Sequence, residues 1–214
     1  NIQKIIYLWM LKYSTFKGGI WETSILSARV ISWLLNIDII INNGSFDFKR
    51  KFFENIILQC NHLKKNIRFE KNPVKKIEGL SALILSGVIF KEYEDNYNIG
   101  IKELQKFVKS FYDEDGFPLT RSFNDLIFFT KHLLLCHENI NDAQQYEPDF
   151  VDEIIKKSLN CIKSFQTPNN QTPLFNGTSE NNLFPLEKYL EKIKTNKKDK
   201  KYILGGIFFI KTKS

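Results

Sequence analysis

The residues of this sequence whose types and spacing could do chemistry are concentrated in one loop. It runs from Asp115 to Asn124 with the sequence DGFPLTRSFN, in which Asp-Gly and Pro indicate a turn. Ser122 or Asn124 can cap the helix that follows. Backbone N–H groups, the positive end of the helix dipole and the Arg121 guanidinium would then converge, which suits a carboxylate or a sulfate. The alternative is a helix cap with an ion pair, for example between Arg121 and Asp115 or Asp125.

The other residue types that could do chemistry give weaker signals. The sequence has no Gly-rich phosphate loop and no HExxH motif, and His132 and His137 are five residues apart, a poor spacing for two metal ligands. His62 could be a general base or an ordinary surface histidine. We therefore expect no metal and no cofactor. Three cysteines lie in apolar helical patterns and are predicted to be buried thiols: Cys60, Cys136 and Cys161.

Helices must position these residues, because apolar side chains recur at helical spacing through most of the chain. Asn72-Pro73 is a start signal, with Asn as the N-cap and Pro at the first helical position, and Ser45 can cap another helix. Six or seven helices are predicted, over approximate ranges drawn from 24–41, 45–63, 72–90, 101–111, 122–136, 147–165 and 185–194. The first of these is apolar nearly all round, so we expect it to be buried on most sides.

Short loops predict that consecutive helices pack as antiparallel hairpins. The helix after Pro73 contains Gly79 and Gly87, and a glycine inside a helix costs about 1 kcal/mol relative to alanine. We therefore expect close approach of other helices to compensate. No fixed repeat is visible, which argues against the TPR, ankyrin and HEAT classes.

Both ends of the chain carry further signals. The apolar stretch 5–11 is too short to span a bilayer and is not a convincing signal peptide, so we interpret the N-terminus as cut. Residues 202–210 are β-branched and aromatic around a Gly pair, which predicts a strand or a hairpin. Because a lone apolar hairpin is unstable, we expect a helical domain over residues 1–196 and the start of a truncated β-domain over 197–214. The alternative is an ordinary final strand that packs on the helices.

The composition is that of a folded globular protein, with 43% hydrophobic and 26% charged residues among 214. A net charge of +7 favours anionic partners such as nucleic acid, acidic lipid or acidic polysaccharide. Part of the lysine excess can equally reflect the coding bias of an AT-rich genome. The basic residues are scattered along the chain and no nucleic-acid recognition motif is present. A nucleic-acid-binding helical module is therefore the least supported function.

An ordered set of short motifs extends over most of the chain. It comprises Trp21 with Ser24, SAR at 27–29 with Trp33, Gln59 with HL at 62–63, ALI at 82–84 with Gly87, DG at 115–116 with RS at 121–122, and LFNG at 174–177. In this order the motifs resemble the helical domain of heparinase II/III-like proteins, and they are most similar to a divergent bacterial branch of that family.

The resemblance implies an all-α fold, namely an incomplete (α/α) toroid of antiparallel helical hairpins, with the short C-terminal β segment beginning a β-sandwich domain. It also implies β-elimination on a uronate-containing polysaccharide and a location in the cell envelope or periplasm. That reaction needs a group that neutralises the uronate carboxylate, a base, commonly Tyr or His, for the C5 proton, and an acid for the leaving oxygen.

The sequence departs from the family's typical lyases at two places. Aligned on the Ala82-Leu83 pair, Val74 and Lys75 stand where those lyases have Asn-His. After Arg121-Ser122, which is kept, Asp125 and Leu126 stand where those lyases have Tyr-His. The further catalytic His and Tyr of the family lie beyond the matching stretch. Two functions therefore remain: a polysaccharide lyase domain, and a non-catalytic or divergent envelope-glycan-binding protein.

Both functions predict the same contacts and the same partner. Five polar side chains are expected to contact the substrate: Arg121, Asn124, Asn176, Lys75 and Asn72. The N-cap role also explains Asn72, and Trp21 and Trp33 either stack on sugars or belong to the core. The expected partner is an acidic polysaccharide, with no nucleic acid and no membrane insertion, and no oligomeric state is predicted.

Overall fold

The computed structural model describes residues 2–16, 18–166, 172–174, 176, 183–193 and 203–208. These residues are mostly helical, as predicted. The α-helices among them are α1 (Ile2–Tyr13), α2 (Thr23–Leu35), α3 (Ile37–Ile41), α4 (Phe46–Asn66), α5 (Pro73–Ile89), α6 (Glu94–Phe111), α7 (Phe123–Asp142), α8 (Asp149–Phe165) and α9 (Glu187–Leu190).

The predicted helix starts at Ser45 and Asn72 are confirmed. The Ser45 side chain accepts a hydrogen bond from the backbone N–H of Phe48 at 3.3 Å. The Asn72 side chain accepts from the N–H groups of Val74 and Lys75 at 3.0 and 3.2 Å, and Pro73 opens α5. Both caps satisfy donors that have no acceptor inside the first turn of a helix.

The continuous helix predicted over residues 24–41 is wrong, because the chain breaks at Asn36 into α2 and α3. The Asn36 side chain donates to the backbone oxygen of Ser32 at 2.8 Å, the kind of local hydrogen bond that competes with a continuing helix. This segment is also buried on fewer sides than expected, since Ile25 and Ile39 are 51% and 67% exposed. The helix predicted over 185–194 is shorter than expected and is restricted to α9, after a 3-10 turn at Phe184–Leu186.

The described residues form two compact units. The first unit contains the described residues up to Leu104 together with Asp142–Gln145, and the second contains Gln105–Asn141 and the described residues from Tyr146 onward. In the first unit the consecutive helices α4 and α5 pack together, as predicted, but the most extensive helix contact joins α2 with α5, which are not consecutive. Packing by consecutive hairpins alone is therefore too simple for this unit.

Glycines allow α5 and α6 to approach closely, as the sequence predicts for Gly87. A β-carbon on Gly87 would overlap the backbone of Tyr97 in α6, and one on Gly100 in α6 would lie 2.6 Å from the Ile84 side chain of α5. The two helices therefore each place a glycine against the other. Close approach compensates for the low helix propensity of these residues.

Aromatic rings build the core of the second unit. The rings of Phe107 and Phe129 lie 5.4 Å apart, and Phe117, Phe123 and Phe165 pack with centroid separations of 5.6–6.4 Å. Phe117 is fully buried although it belongs to the loop between α6 and α7. The aromatic core therefore holds that loop against the ends of α7 and α8.

The predicted C-terminal hairpin is confirmed for residues 203–208. Strands β1 (Ile203–Leu204) and β2 (Ile207–Phe208) pair antiparallel through a two-residue turn. Gly205 and Gly206 have φ values of 60° and 70°, which a type I′ turn requires and which glycine adopts readily. The predicted boundary between residues 196 and 197 lies outside the described residues. In the part of the chain that the structure describes, no helix is long and apolar enough to cross a bilayer.

We predict that Gly87→Ala lowers the free energy of unfolding by about 2 kcal/mol, because the new methyl group meets the Tyr97 backbone, which cannot move aside as a side chain can. The measurement is urea-induced unfolding of the parent chain and the variant. Gly19→Ala is the matched control, since a β-carbon there has no neighbour within 4 Å, and a change within about 0.5 kcal/mol is expected. Equal effects of the two substitutions would contradict the close approach of α5 and α6.

Candidate functional site

The loop between α6 and α7 is organised around the Asp113 carboxylate. Its Oδ1 atom accepts hydrogen bonds from the backbone N–H groups of Asp115 and Phe117, at 3.0 and 2.9 Å. The Asp113 N–H in turn donates to the Phe117 backbone oxygen at 3.0 Å. One side chain thereby provides an acceptor for backbone N–H groups of the turn, few of which could pair with carbonyl groups of the same turn.

Arg121 lies at the end of this loop in an unusual backbone conformation. Its φ is 56°, in the left-handed region that residues with a β-carbon adopt rarely and at a cost of about 1–3 kcal/mol. Two hydrogen bonds hold the backbone there. The Arg121 N–H donates to the Pro118 oxygen at 2.9 Å, and the Asn176 side-chain amide donates to the Arg121 oxygen at 2.9 Å.

The Arg121 guanidinium pairs with Asp113. Its Nη1 atom donates to Asp113 Oδ2 at 2.5 Å, and the two side chains are 35% and 18% exposed. The alternative ion pair predicted from the sequence therefore exists, but its partner is Asp113 rather than Asp115 or Asp125. The left-handed backbone at Arg121 accompanies this pairing with a residue eight positions earlier. Among the described residues, Asp113 is the only acceptor of the Arg121 side chain.

The C-terminal hairpin packs on the same loop. The Gly205 N–H donates to Asp115 Oδ2 at 3.2 Å, and Gly205 lies directly against the Phe117 ring. A β-carbon on Gly206 would lie 3.6 Å from the Arg121 guanidinium, so the hairpin turn passes beside this group. The loop, the hairpin and Asn176 therefore all lie next to Arg121.

This arrangement can hold one carboxylate or sulfate. A guanidinium is a rigid fork of five donors, and a group held from one side by Asp113 still has donors on its other edges. Asp113 also neutralises part of its charge, so the attraction for an anion is weaker than that of an unpaired arginine.

The remaining predicted contact residues lie apart from this loop or have a structural role. Ser122 caps α7 by accepting from the Asp125 N–H at 3.3 Å, and Asn124 is half-buried in the first turn of the helix. Asn72 and Lys75 lie in the first unit. Asn72 is occupied by its cap, and a hydrogen bond from the Lys75 ammonium to Glu22 raises the pKa of Lys75.

The two tryptophans belong to the core. Trp21 is 3% exposed and Trp33 is 8% exposed, so their core assignment is confirmed and neither offers a face to a sugar. His62 is half-buried rather than a plain surface residue, since its ring packs on Phe16 and Trp21 with centroids 5.3 Å from each. Burial and the nearby Lys65 lower the pKa of His62, so it is uncharged at neutral pH.

Buried thiols are confirmed for all three cysteines, which are Cys60, Cys136 and Cys161. Burial raises the pKa of Cys60 to about 11, so this thiol stays protonated. In the described part of the chain no group of three or more His, Cys, Asp or Glu side chains is placed to hold a metal ion.

The residue that the sequence reasoning missed is Asp113. A signal for it exists, because an aspartate at the start of a turn commonly accepts from backbone N–H groups two and four residues later. Its pairing with Arg121 has no comparable signal, since it depends on the left-handed conformation of a residue that is not glycine.

We predict that Asp113→Ala lowers the free energy of unfolding by about 2–3 kcal/mol, because two backbone N–H groups and the Arg121 guanidinium lose their acceptor. Urea unfolding provides the measurement. Glu114→Ala removes the same charge one residue later from an exposed position and should change stability by no more than about 0.5 kcal/mol. If the two variants are equally stable, Asp113 does not organise the loop.

Comparison of the whole chain with protein-family models, with curated proteins and with solved structures found no match in any of the three.

Proposed function

We propose that this chain is the helical domain of a heparinase II/III-like protein that binds a uronate-containing polysaccharide at Arg121 and, in its complete form, cleaves it by β-elimination. The observation that supports the proposal is the Arg121 guanidinium, which Asp113 holds and which has no other acceptor among the described residues. A backbone held in the left-handed region at this non-glycine residue is typical of functional positions.

The proposal includes an architecture and a location. The helices would form an incomplete (α/α) toroid of antiparallel hairpins, followed by a β-sandwich domain that begins at about residue 197, and the protein would act in the cell envelope or periplasm. The mainly helical fold and the short antiparallel hairpin near the C-terminus are compatible with this arrangement. A net charge of +7 is compatible with an acidic polymer as the partner.

In the proposed reaction Arg121 binds the uronate carboxylate. Neutralising this group makes the neighbouring C5 proton acidic enough for a base to remove. The electron pair of the broken C–H bond forms the C4–C5 double bond, and the glycosidic oxygen leaves C4 with a proton from an acid. The resemblance assigns the base and the acid to His and Tyr side chains that lie beyond the matching stretch.

A second candidate function is glycan binding without catalysis. At the positions of the Tyr-His pair of the typical lyases, this chain has Asp125, whose N–H is held by the helix cap, and Leu126, which is fully buried. Neither residue can act as the tyrosine or histidine would. At the position of the family's other histidine, Lys75 is paired with Glu22. These three residues favour a binding protein over a lyase of the usual type.

We predict that Arg121→Ala weakens binding to polygalacturonate, alginate or hyaluronan by about tenfold or more, because a hydrogen-bonded ionic contact of this kind contributes about 1.5–3 kcal/mol. Affinity should be measured by calorimetry over a series of salt concentrations. Binding of the parent chain should weaken steeply with salt, since a bound polyanion releases its counterions.

Arg68→Ala is the matched control for this experiment. It removes the same charge from an exposed position in the first unit and should change affinity less than twofold if binding is local to Arg121. Equal losses in the two variants would mean that only the overall charge matters, and this result would remove Arg121 from the site.

The two candidate functions differ in the product they form. We predict that the full-length protein, incubated with the uronate polymer that it binds, releases unsaturated sugars that are detected by their ultraviolet absorbance, and that Arg121→Ala slows their release. Polymer binding by folded protein with no absorbance change across a broad panel would contradict the lyase and support the binding protein.

A further inference from the structure

A cavity of about 300 Å³ lies in the second unit, between α7 and the segment Phe184–Leu190. Helix α9 lies beside the cavity and is held by α8. The ammonium group of Lys163 in α8 donates to the backbone oxygens of Leu190, at 2.7 Å, and of Ile193. The cavity lies well along α7 from the Arg121 loop, and none of the predicted contact residues lines it.

We propose that this cavity is a separate subsite for one neutral hexopyranose ring. The inference deepens the proposed function, because it assigns a neutral sugar unit of the same polysaccharide to the far part of α7. The argument depends on the size of the cavity, its apolar wall and one carboxylate oxygen that has no hydrogen-bond donor among the described residues.

The size and the wall fit one sugar ring. A volume of about 300 Å³ is at the lower end for small-molecule sites and holds one ring rather than a chain. Its apolar wall is formed by Leu134, Leu135, Pro185 and Leu186. A pyranose ring matches such a wall, since its C–H face is apolar and its hydroxyl groups lie at the edge.

The polar edge of the cavity is formed by Glu138. Its Oε1 atom accepts from the Lys188 ammonium at 2.6 Å and from the Tyr189 hydroxyl. Its Oε2 atom has no hydrogen-bond donor among the described residues, and the side chain is 42% exposed. The carboxylate is therefore held in one orientation and has an oxygen directed to accept from a ligand hydroxyl.

The charge at the Glu138 edge of the cavity favours a neutral group over an acidic one at that place. Burial alone would raise the pKa of Glu138, but the hydrogen bonds from Lys188 and Tyr189 outweigh burial and lower it, so Glu138 is ionised at neutral pH. Lys188 is paired with this carboxylate, and the other lysine of the lining, Lys131, is about 10 Å away from Glu138 along the axis of α7, at 1.5 Å per residue. His132, which also lines the cavity, is uncharged because burial lowers its pKa to about 4. A uronate carboxylate next to Glu138 would be repelled.

The Arg121 loop and the cavity lie at different positions along one helix. Phe123 and Glu138 are separated by about 22 Å along the axis of α7, at 1.5 Å per residue. A polysaccharide would have to extend over several units to reach both places. The acidic unit at Arg121 and the neutral unit in the cavity would then belong to one chain of mixed composition.

The test uses the full chain with ¹³C-labelled leucine methyl groups and three probes: methyl β-glucoside, methyl β-N-acetylglucosaminide and methyl β-glucuronide. We expect at least one neutral glycoside to shift the methyl signals of Leu134, Leu135 and Leu186 to saturation. Glu138→Gln should weaken that binding by about tenfold, since a charged acceptor is lost. The glucuronide should bind at least about tenfold more weakly than the neutral probe because of repulsion.

Glu153→Gln is the matched control, because it neutralises an exposed glutamate on α8 in the same unit, and it should leave the shifts unchanged. Three results would overturn the proposal: no saturable shift of these leucines with either neutral probe, equal binding by the Glu138 and Glu153 variants, or equal affinity for the glucuronide. The neutral probes carry no carboxylate for Arg121. Their binding without any polymer binding would therefore refute the proposed function alone, and the reverse outcome would refute the cavity alone.

Discussion

The candidate site depends on one carboxylate, that of Asp113. It accepts hydrogen bonds from two backbone N–H groups of the loop that follows α6, and it also pairs with the Arg121 guanidinium. The loop closes over Phe117, which enters the aromatic core of the second unit, and the C-terminal hairpin packs on the outside of that ring. Arg121 therefore belongs to a loop that both the aromatic core and the hairpin contact.

This organisation has two opposite effects on the chemistry. Because the guanidinium is already held in place, binding a ligand costs less side-chain conformational entropy, which favours recognition of a carboxylate. Pairing it with Asp113 removes part of its charge, which limits the affinity of a single contact. A polymer gains affinity over a single unit only where it contacts more than one site on the protein. Under the proposed function, contacts elsewhere along the polymer would supply further affinity, and the cavity beside Glu138 would provide one such contact to a neutral sugar unit.

Local features of the fold could be predicted from the sequence, and non-local features could not. The caps at Ser45 and Asn72 and the close approach at Gly87 follow from residue types at single positions, and the structure has all of them. The break at Asn36 could not be predicted, because apolar periodicity continues across it.

The candidate site shows the same division. Its loop and its arginine could be predicted, because Asp-Gly, Pro and a helix cap are local signals. The partner of Arg121 could not be predicted, since the nearest acids in sequence are Asp115 and Asp125 and the left-handed backbone accompanies pairing with Asp113 instead.

The most direct measurement is the NMR signal of the Arg121 Nε–H group, identified by its loss in Arg121→Lys, during titration with a uronate oligosaccharide. The account predicts a progressive shift of this signal that saturates with the ligand. A signal that stays constant while the oligosaccharide binds elsewhere, or does not bind at all, would contradict it.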